Sequence, residues 1–152
     1  NLNRKYDSTE DDQYPTILAS KKAVLEEFEN NNLKMFMDFN AHQSKRGCFI
    51  YGNTIEDIDS QAEAKMIPKL MSLNSVNFDF RSSSFDDTKN NVQDWQGDSR
   101  SGSSRAVIHR ETKLMPLVYT IEANYARGKN INHLQKRYDQ QNDRFLEEES
   151  DI

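Results

Sequence analysis

Helix-like and strand-like apolar patterns alternate along this chain, and that alternation limits its fold more than any other feature. Tyr14-Pro15-Thr16 opens a helical pattern with Ile17, Val24 and Phe28 on one face beside Leu18 and Leu25, and Asn30-Asn31-Asn32 closes it. Residues 33–39 then read as a strand with Met35, Met37 and Phe39 on one side. Cys48-Phe49-Ile50-Tyr51 is a short buried-strand candidate ended by the turn signal Gly52-Asn53. From Asp57, the residues Ile58, Ala62, Met66, Leu70 and Leu73 recur at helical spacing, and Pro68 inside that pattern is expected to kink or interrupt it. Two further strands are expected over residues 106–110 and 117–123. Strands alternating with helices predict an α/β fold, a mixed sheet flanked by helices. Functional groups in such sheets gather where strands end, which singles out Asn40, His42 and Glu122, expected just past the strand ends.

The remaining stretches differ in kind. Residues 81–105 hold seven serines and few sizeable apolar groups (Phe85, Val92, Trp95), the composition of a long loop within a unit spanning residues 1–128. Residues 129–152 read as a charged helical tail, with Ile131, Leu134 and Tyr138 on one face running into Glu147-Glu148-Glu149. With 35% hydrophobic and 30% charged residues in 152, the core is small for the length, and partner-covered faces are expected. A net charge of -5 argues against a general nucleic-acid binder. No apolar run approaches the roughly 20 residues that span a bilayer, and Asn1-Leu2-Asn3-Arg4-Lys5 is not signal-like. The lone Cys48 cannot form an internal disulfide, which points to a reducing, cytoplasmic setting. The absence of an initiating methionine marks the chain as processed or as part of a longer one.

By residue type alone, chemistry is sparse. A zinc hydrolase needs three protein ligands and an open position. The three histidines, His42, His109 and His133, show no metal-ligand spacing, and no metal site or other cofactor is expected within the chain. There is no nucleophile elbow, phosphate loop or dinucleotide fingerprint. Asn3-Arg4 offers a guanidinium fork that matches a carboxylate. Ser44-Lys45-Arg46-Gly47 is a basic turn, ordinarily a solvated one. Glu122 sits between Ile121 and Ala123 on an apolar strand, and a buried carboxylate costs free energy unless it is paired or used.

Four segments taken in order resemble the carboxyl-terminal half of the catalytic domain of the cytosolic carboxypeptidases, M14 zinc metallocarboxypeptidases of the branch that removes glutamates from tubulin. They are Asn1-Leu2-Asn3-Arg4 with Tyr14-Pro15-Thr16, the run from Asp38 to Asn53, Pro68-Lys69-Leu70-Met71-Ser72-Leu73-Asn74-Ser75, and Tyr119-Thr120-Ile121-Glu122-Ala123-Asn124-Tyr125. The resemblance fades after Gly128. It implies that Asn3 and Arg4 hold a substrate carboxylate and that Glu122 is the catalytic glutamate acting on a zinc-bound water. It also implies departures. The family's third zinc ligand, a histidine, is replaced by Asn40, and an amide is a poor substitute for imidazole. The family's His-x-x-Glu pair would lie ahead of Asn1. His42 stands where these enzymes often carry a second histidine that is not the ligand. His109 takes the place of a substrate-side tyrosine, and Gly102-Ser103-Ser104-Arg105 replaces a Gly-Ser-Gly-Arg.

The resemblance thus implies a catalytically impaired domain that binds an acidic peptide such as a tubulin tail through Asn3, Arg4, Lys45, Arg46 and Arg105. A structural role in a larger microtubule or ciliary assembly is a further expectation. Two other expectations stand beside it: an active glutamate-removing carboxypeptidase with unusual zinc ligation, and a protein-interaction module sharing only the fold.

Overall fold

The computed structural model describes residues 1–8, 13–86, 97, 99–112 and 115–134, together with the backbone of two short strands beyond them. Its main elements are α1 (Pro15–Glu29), β1 (Phe36–His42), β2 (Cys48–Tyr51), α2 (Ile58–Asn74), α3 (Ser104–Glu111) and β3 (Val118–Asn124). Turns of 3-10 helix occur at Leu2–Arg4, Phe80–Ser82 and Arg100–Gly102. The fold is α/β, as the alternating patterns predict. β3 is the middle strand of a three-stranded mixed sheet, parallel to β1 and antiparallel to β2.

Register decides which side chains meet. Asp38 lies opposite Thr120, Asn40 opposite Glu122 and His42 opposite Asn124, while Phe49 is paired with Glu122 from the other side. Strand side chains alternate faces, so these polar groups share one face of the sheet. The other face carries Met37, Ile50, Tyr119 and Ile121, which pack with Phe78 and with Ile67 and Met71 of α2. On the polar face α3 lies against β1 and β3, and α1 packs on α3 through a side that buries Ile17.

Several expectations need correction. The strand expected over residues 33–39 runs over Phe36–His42, so Asn40 and His42 lie within β1, and Glu122 lies within β3, rather than past the strand ends. Residues 106–110, expected as a strand, belong to the helix α3. Ser103 caps its start by accepting from Ala106 N–H, and Thr112 closes its end by donating to the carbonyl of Ile108 at 2.7 Å. Among the described residues the tail contains no helix. Ile131 N–H donates to Val76 O, Asn132 Nδ2 reaches Ser75 O and Phe78 O, and the pair β4 (Tyr138–Asp139) and β5 (Arg144–Phe145) is antiparallel. Of the serine-rich stretch, Val92 and Trp95 lie outside the described residues, as do Glu147, Glu148 and Glu149 of the tail.

Pro68 neither ends nor interrupts α2, which runs unbroken from Ile58 to Asn74. A proline withholds the N–H that the carbonyl four residues earlier would accept. Here that carbonyl belongs to Ala64, and the buried hydroxyl of Tyr119 donates to it at 2.9 Å. The helix therefore lies close on the sheet through Ala64, Pro68 and Ser72. Ile67 and Met71 pack beside them, whereas other apolar positions turn outward: Ile58 is 83% exposed, Leu73 57% and Met66 52%.

Candidate functional site

The polar face of the sheet forms the floor of a cavity of about 490 Å³. Asn3, Arg4, Asn40, His42, Lys45, Tyr51, Arg100, Arg105, Thr120 and Glu122 are among its lining residues. Four segments distant in sequence converge there: the N-terminal 3-10 turn, β1, β3, and the 99–105 turn that leads into α3.

Asp38 organises one end. Its Oδ2 accepts from Asn3 Nδ2 at 2.7 Å, from Asn40 Nδ2 at 2.8 Å and from Ser104 Oγ at 2.8 Å. Asn3 in turn accepts the N–H of Ser104 on its Oδ1 at 2.9 Å. The amide of Asn3 thus ties the N-terminal turn to β1 and α3. Arg4 is placed by the same turn, with its Nη1 donating to Asn3 O at 2.7 Å. Gly102 lets that turn approach, since a Cβ there would sit 2.4 Å from Arg4 O, and Tyr6 N–H donates to Gly102 O.

Glu122 projects from the middle strand, half-buried over the cavity floor. Burial, and then the neighbouring Asp38 carboxylate, hold its carboxyl above the ordinary range against the opposing pull of Arg4, Arg100 and Lys45. Tyr51, close by, is raised by burial and then by Glu122. Lys45 lies over the rings of Phe49 and Tyr51, 4.7 and 5.8 Å from their centroids.

The predicted site residues fall into three groups. Asn3, Arg4, Asn40, Lys45 and Glu122 come together around the cavity. Arg105 reaches its wall but is buried, its Nη1 donating to Gly52 O at 2.7 Å and to the Asn53 side chain, so it links α3 to the end of β2. Arg46 is exposed outside the lining, and so is His133. His109 is also apart from the cavity: it is buried in α3 with its Nδ1 2.9 Å from Met115 O. The sequence reading missed Asp38 as the hub, Ser104 as its donor, and Arg100. Asp38 opened the run from Asp38 to Asn53 that carries part of the resemblance; Arg100 had no signal beyond the length of its loop.

A zinc ion does not fit the donors present. Among the described residues no three His, Cys, Asp or Glu side chains converge as metal ligands. Asn40 directs its Nδ2 at Asp38, and His42 uses its Nδ1 to accept from Ser44 N–H at 3.2 Å and Lys45 N–H at 3.1 Å. No described helix is long and apolar enough to cross a membrane.

A metallo-carboxypeptidase from Burkholderia cenocepacia superposes on 86% of this chain with a TM-score of 0.55 at 18% identity, so the fold is that of part of a metallocarboxypeptidase. The chain covers 30% of that structure. Human cytosolic carboxypeptidase-like protein 5 is 35% identical over 126 residues, which is 78% of this chain and 14% of the human protein. The bovine protein of that name is 39% identical over 100 residues, covering 65% of this chain and 11% of its own length. Mouse cytosolic carboxypeptidase 6 is 28% identical over 86 residues, covering 55% of this chain and 16% of its own length. No protein-family model matches. The chain belongs to the cytosolic carboxypeptidase family, and it spans about one seventh of the human carboxypeptidase-like protein 5.

Proposed function

We propose that this domain is a catalytically impaired carboxypeptidase that binds the free C-terminal carboxylate of an acidic peptide without cleaving it. One observation carries the reading. At the position of the family's third zinc ligand, Asn40 gives its amide to Asp38, while Arg4, Lys45 and Arg100 line the same cavity. Fixed cations favour anions where solvent is restricted. A guanidinium in particular pairs with a carboxylate through two parallel hydrogen bonds. Acidic tails of the tubulin type suit such a cavity, and a cytoplasmic assembly on microtubules or cilia is the setting proposed for it.

The test compares an acidic peptide bearing a free C-terminal carboxylate with the same peptide as its C-terminal amide, using the full-length protein without added zinc. The free acid is expected to bind roughly tenfold tighter, the worth of one charge-assisted pair, and no glutamate is released with or without zinc. Glutamate release that requires zinc overturns the reading.

That outcome would establish the second reading, an active glutamate-removing carboxypeptidase. Glu122 favours it: a carboxyl held above its ordinary range beside the cavity is suited to passing a proton.

A further inference from the structure

We propose that α2 is a self-association helix: its outward face pairs with the same face of a second copy of this chain, the two helices running parallel about a two-fold axis.

The placement of residues around α2 makes that face. Ala64, Pro68 and Ser72 are buried on the core side, with Ile67 and Met71 packed beside them. Ile58, Ala62, Met66, Leu70 and Leu73 fall about half a turn away, in a stripe about 120° wide at roughly 100° per residue. All five are exposed. Large apolar side chains exposed singly are ordinary, but a contiguous patch marks a surface for association. Of the eight such side chains exposed among the described residues, Ile58, Met66, Leu70 and Leu73 are on this one helix. The stripe runs the length of α2, 17 residues, or about 26 Å at roughly 1.5 Å per residue.

Charge identifies what covers it. Lys65 and Lys69 border the stripe on one flank, their ammonium groups 5.8 Å over the Phe85 ring and 5.6 Å over the Phe80 ring. Asp59 and Glu63 border it on the other flank, where Glu63 lines a notch with Leu33 and Leu117. No salt bridge holds Glu63, Lys65 or Lys69 among the described residues. A two-fold axis along the helix direction sets opposite flanks against each other at the same height. Glu63 of each copy then meets Lys65 of the other, about 3 Å apart along the axis at roughly 1.5 Å per residue. The antiparallel arrangement would set like flanks together and bring Lys65 of one copy against Lys65 of the other. Flanking charges of this kind fix the orientation of paired helices. The surface is therefore complementary to itself, as a closed two-fold dimer requires.

The apolar surface fits the same geometry. Ile58, Ala62, Met66 and Leu70 form a ridge at i, i+4 spacing, and ridges of this kind on two helices interdigitate. Ala62 is the small side chain that lets the axes approach, and Met66, at the centre of α2, is unbranched and fills an irregular contact. α2 covers the apolar face of the sheet, while the cavity lies over the polar face. Pairing through α2 leaves that cavity open on both copies.

Sedimentation velocity of the full-length protein over rising concentrations tests this, and a concentration-dependent dimer is expected. Met66→Lys is expected to remain monomeric where the wild type is dimeric, with its far-ultraviolet circular dichroism unchanged. Glu63→Lys and Lys65→Glu, both at exposed positions, each turn two attractions into two repulsions and are expected to weaken dimerisation roughly tenfold. The double variant Glu63→Lys/Lys65→Glu should return to within about threefold of wild type, a rescue that a structural role of either residue alone does not give. A protein that stays monomeric at every concentration overturns the proposal and leaves this face to a different protein. A dimer that survives Met66→Lys overturns it as well, because the interface then lies elsewhere. Single charge variants without effect, or a double variant that fails to recover, reject the parallel pairing.

Discussion

Asn40 donates its side-chain amide to Asp38 across 2.8 Å, two residues away on the same face of β1. An imidazole at position 40 would present a nitrogen lone pair to a metal, whereas this amide spends its donor on a neighbour that already accepts from Asn3 and Ser104. Three protein ligands are needed for a catalytic zinc, and no three converge among the described residues. Metal analysis of the chain after dialysis is therefore expected to find no stoichiometric zinc. Asn40→His alone should not create a tight site. One zinc retained per wild-type chain would show that ligation here is differently arranged.

The same hub bears on stability. Asp38 Oδ2 joins the N-terminal turn, β1 and α3 through three donors. Asp38→Ala leaves those donors without their acceptor in a half-buried position, at a cost of about 2–4 kcal/mol for hydrogen bonds to a charged group. Asp38→Asn keeps one acceptor oxygen and should lose less. Urea unfolding monitored by circular dichroism measures both, and equal stability of Asp38→Ala and wild type would remove Asp38 from its organising role.

Glu122 makes a prediction of opposite sign. Its carboxyl is raised in the folded chain, chiefly by burial and then by Asp38, so the folded state binds the proton more tightly than the unfolded state does. Stability associated with this group is then fully present below the ordinary carboxylate range, and is lost as pH rises through the raised value. Glu122→Gln removes that loss. It is expected to raise the unfolding midpoint at neutral pH and to have little effect at about pH 4. A midpoint that drops at neutral pH in Glu122→Gln would mean that the carboxylate is held by favourable contacts that outweigh its burial.

What the sequence disclosed and concealed follows from which forces act locally. α1 was legible because Pro15 at its first turn and the run Asn30-Asn31-Asn32 are local start and stop signals, and Asn31 does adopt a positive φ of 59°. β2 was legible for the same reason, as an apolar run ended by a turn. The helix α3 was hidden because Ala106, Val107 and Ile108 form a run too short for periodicity to separate helix from strand; the Ser103 cap was the clue that decided it. Asn3, Arg4, Asn40 and Glu122 were readable in one motif series. Arg100 and the Asp38 hub depend on contacts between segments up to 66 residues apart, as from Ser104 to Asp38, and no local pattern encodes those.

The close seat of α2 on the sheet has a physical cause that an experiment can isolate. Helical spacing ordinarily turns a stripe of large apolar residues to the core, yet the most buried positions of α2 are Ala64, Pro68 and Ser72, with Ile67 and Met71 beside them. Small residues allow close approach, and Pro68 leaves the Ala64 carbonyl without a helical donor, which the Tyr119 hydroxyl replaces at 2.9 Å. Tyr119→Phe strands that carbonyl in a buried site and should cost about 1–3 kcal/mol. Pro68→Ala restores an N–H at the residue whose helical partner is Ala64 O. In that background the penalty of Tyr119→Phe should fall by more than half, because the carbonyl again has a donor. A double-mutant cycle in urea reads the coupling directly. If the two changes are additive, the Tyr119 hydroxyl does not stand in for the missing helical bond, and the continuity of α2 through Pro68 has another source.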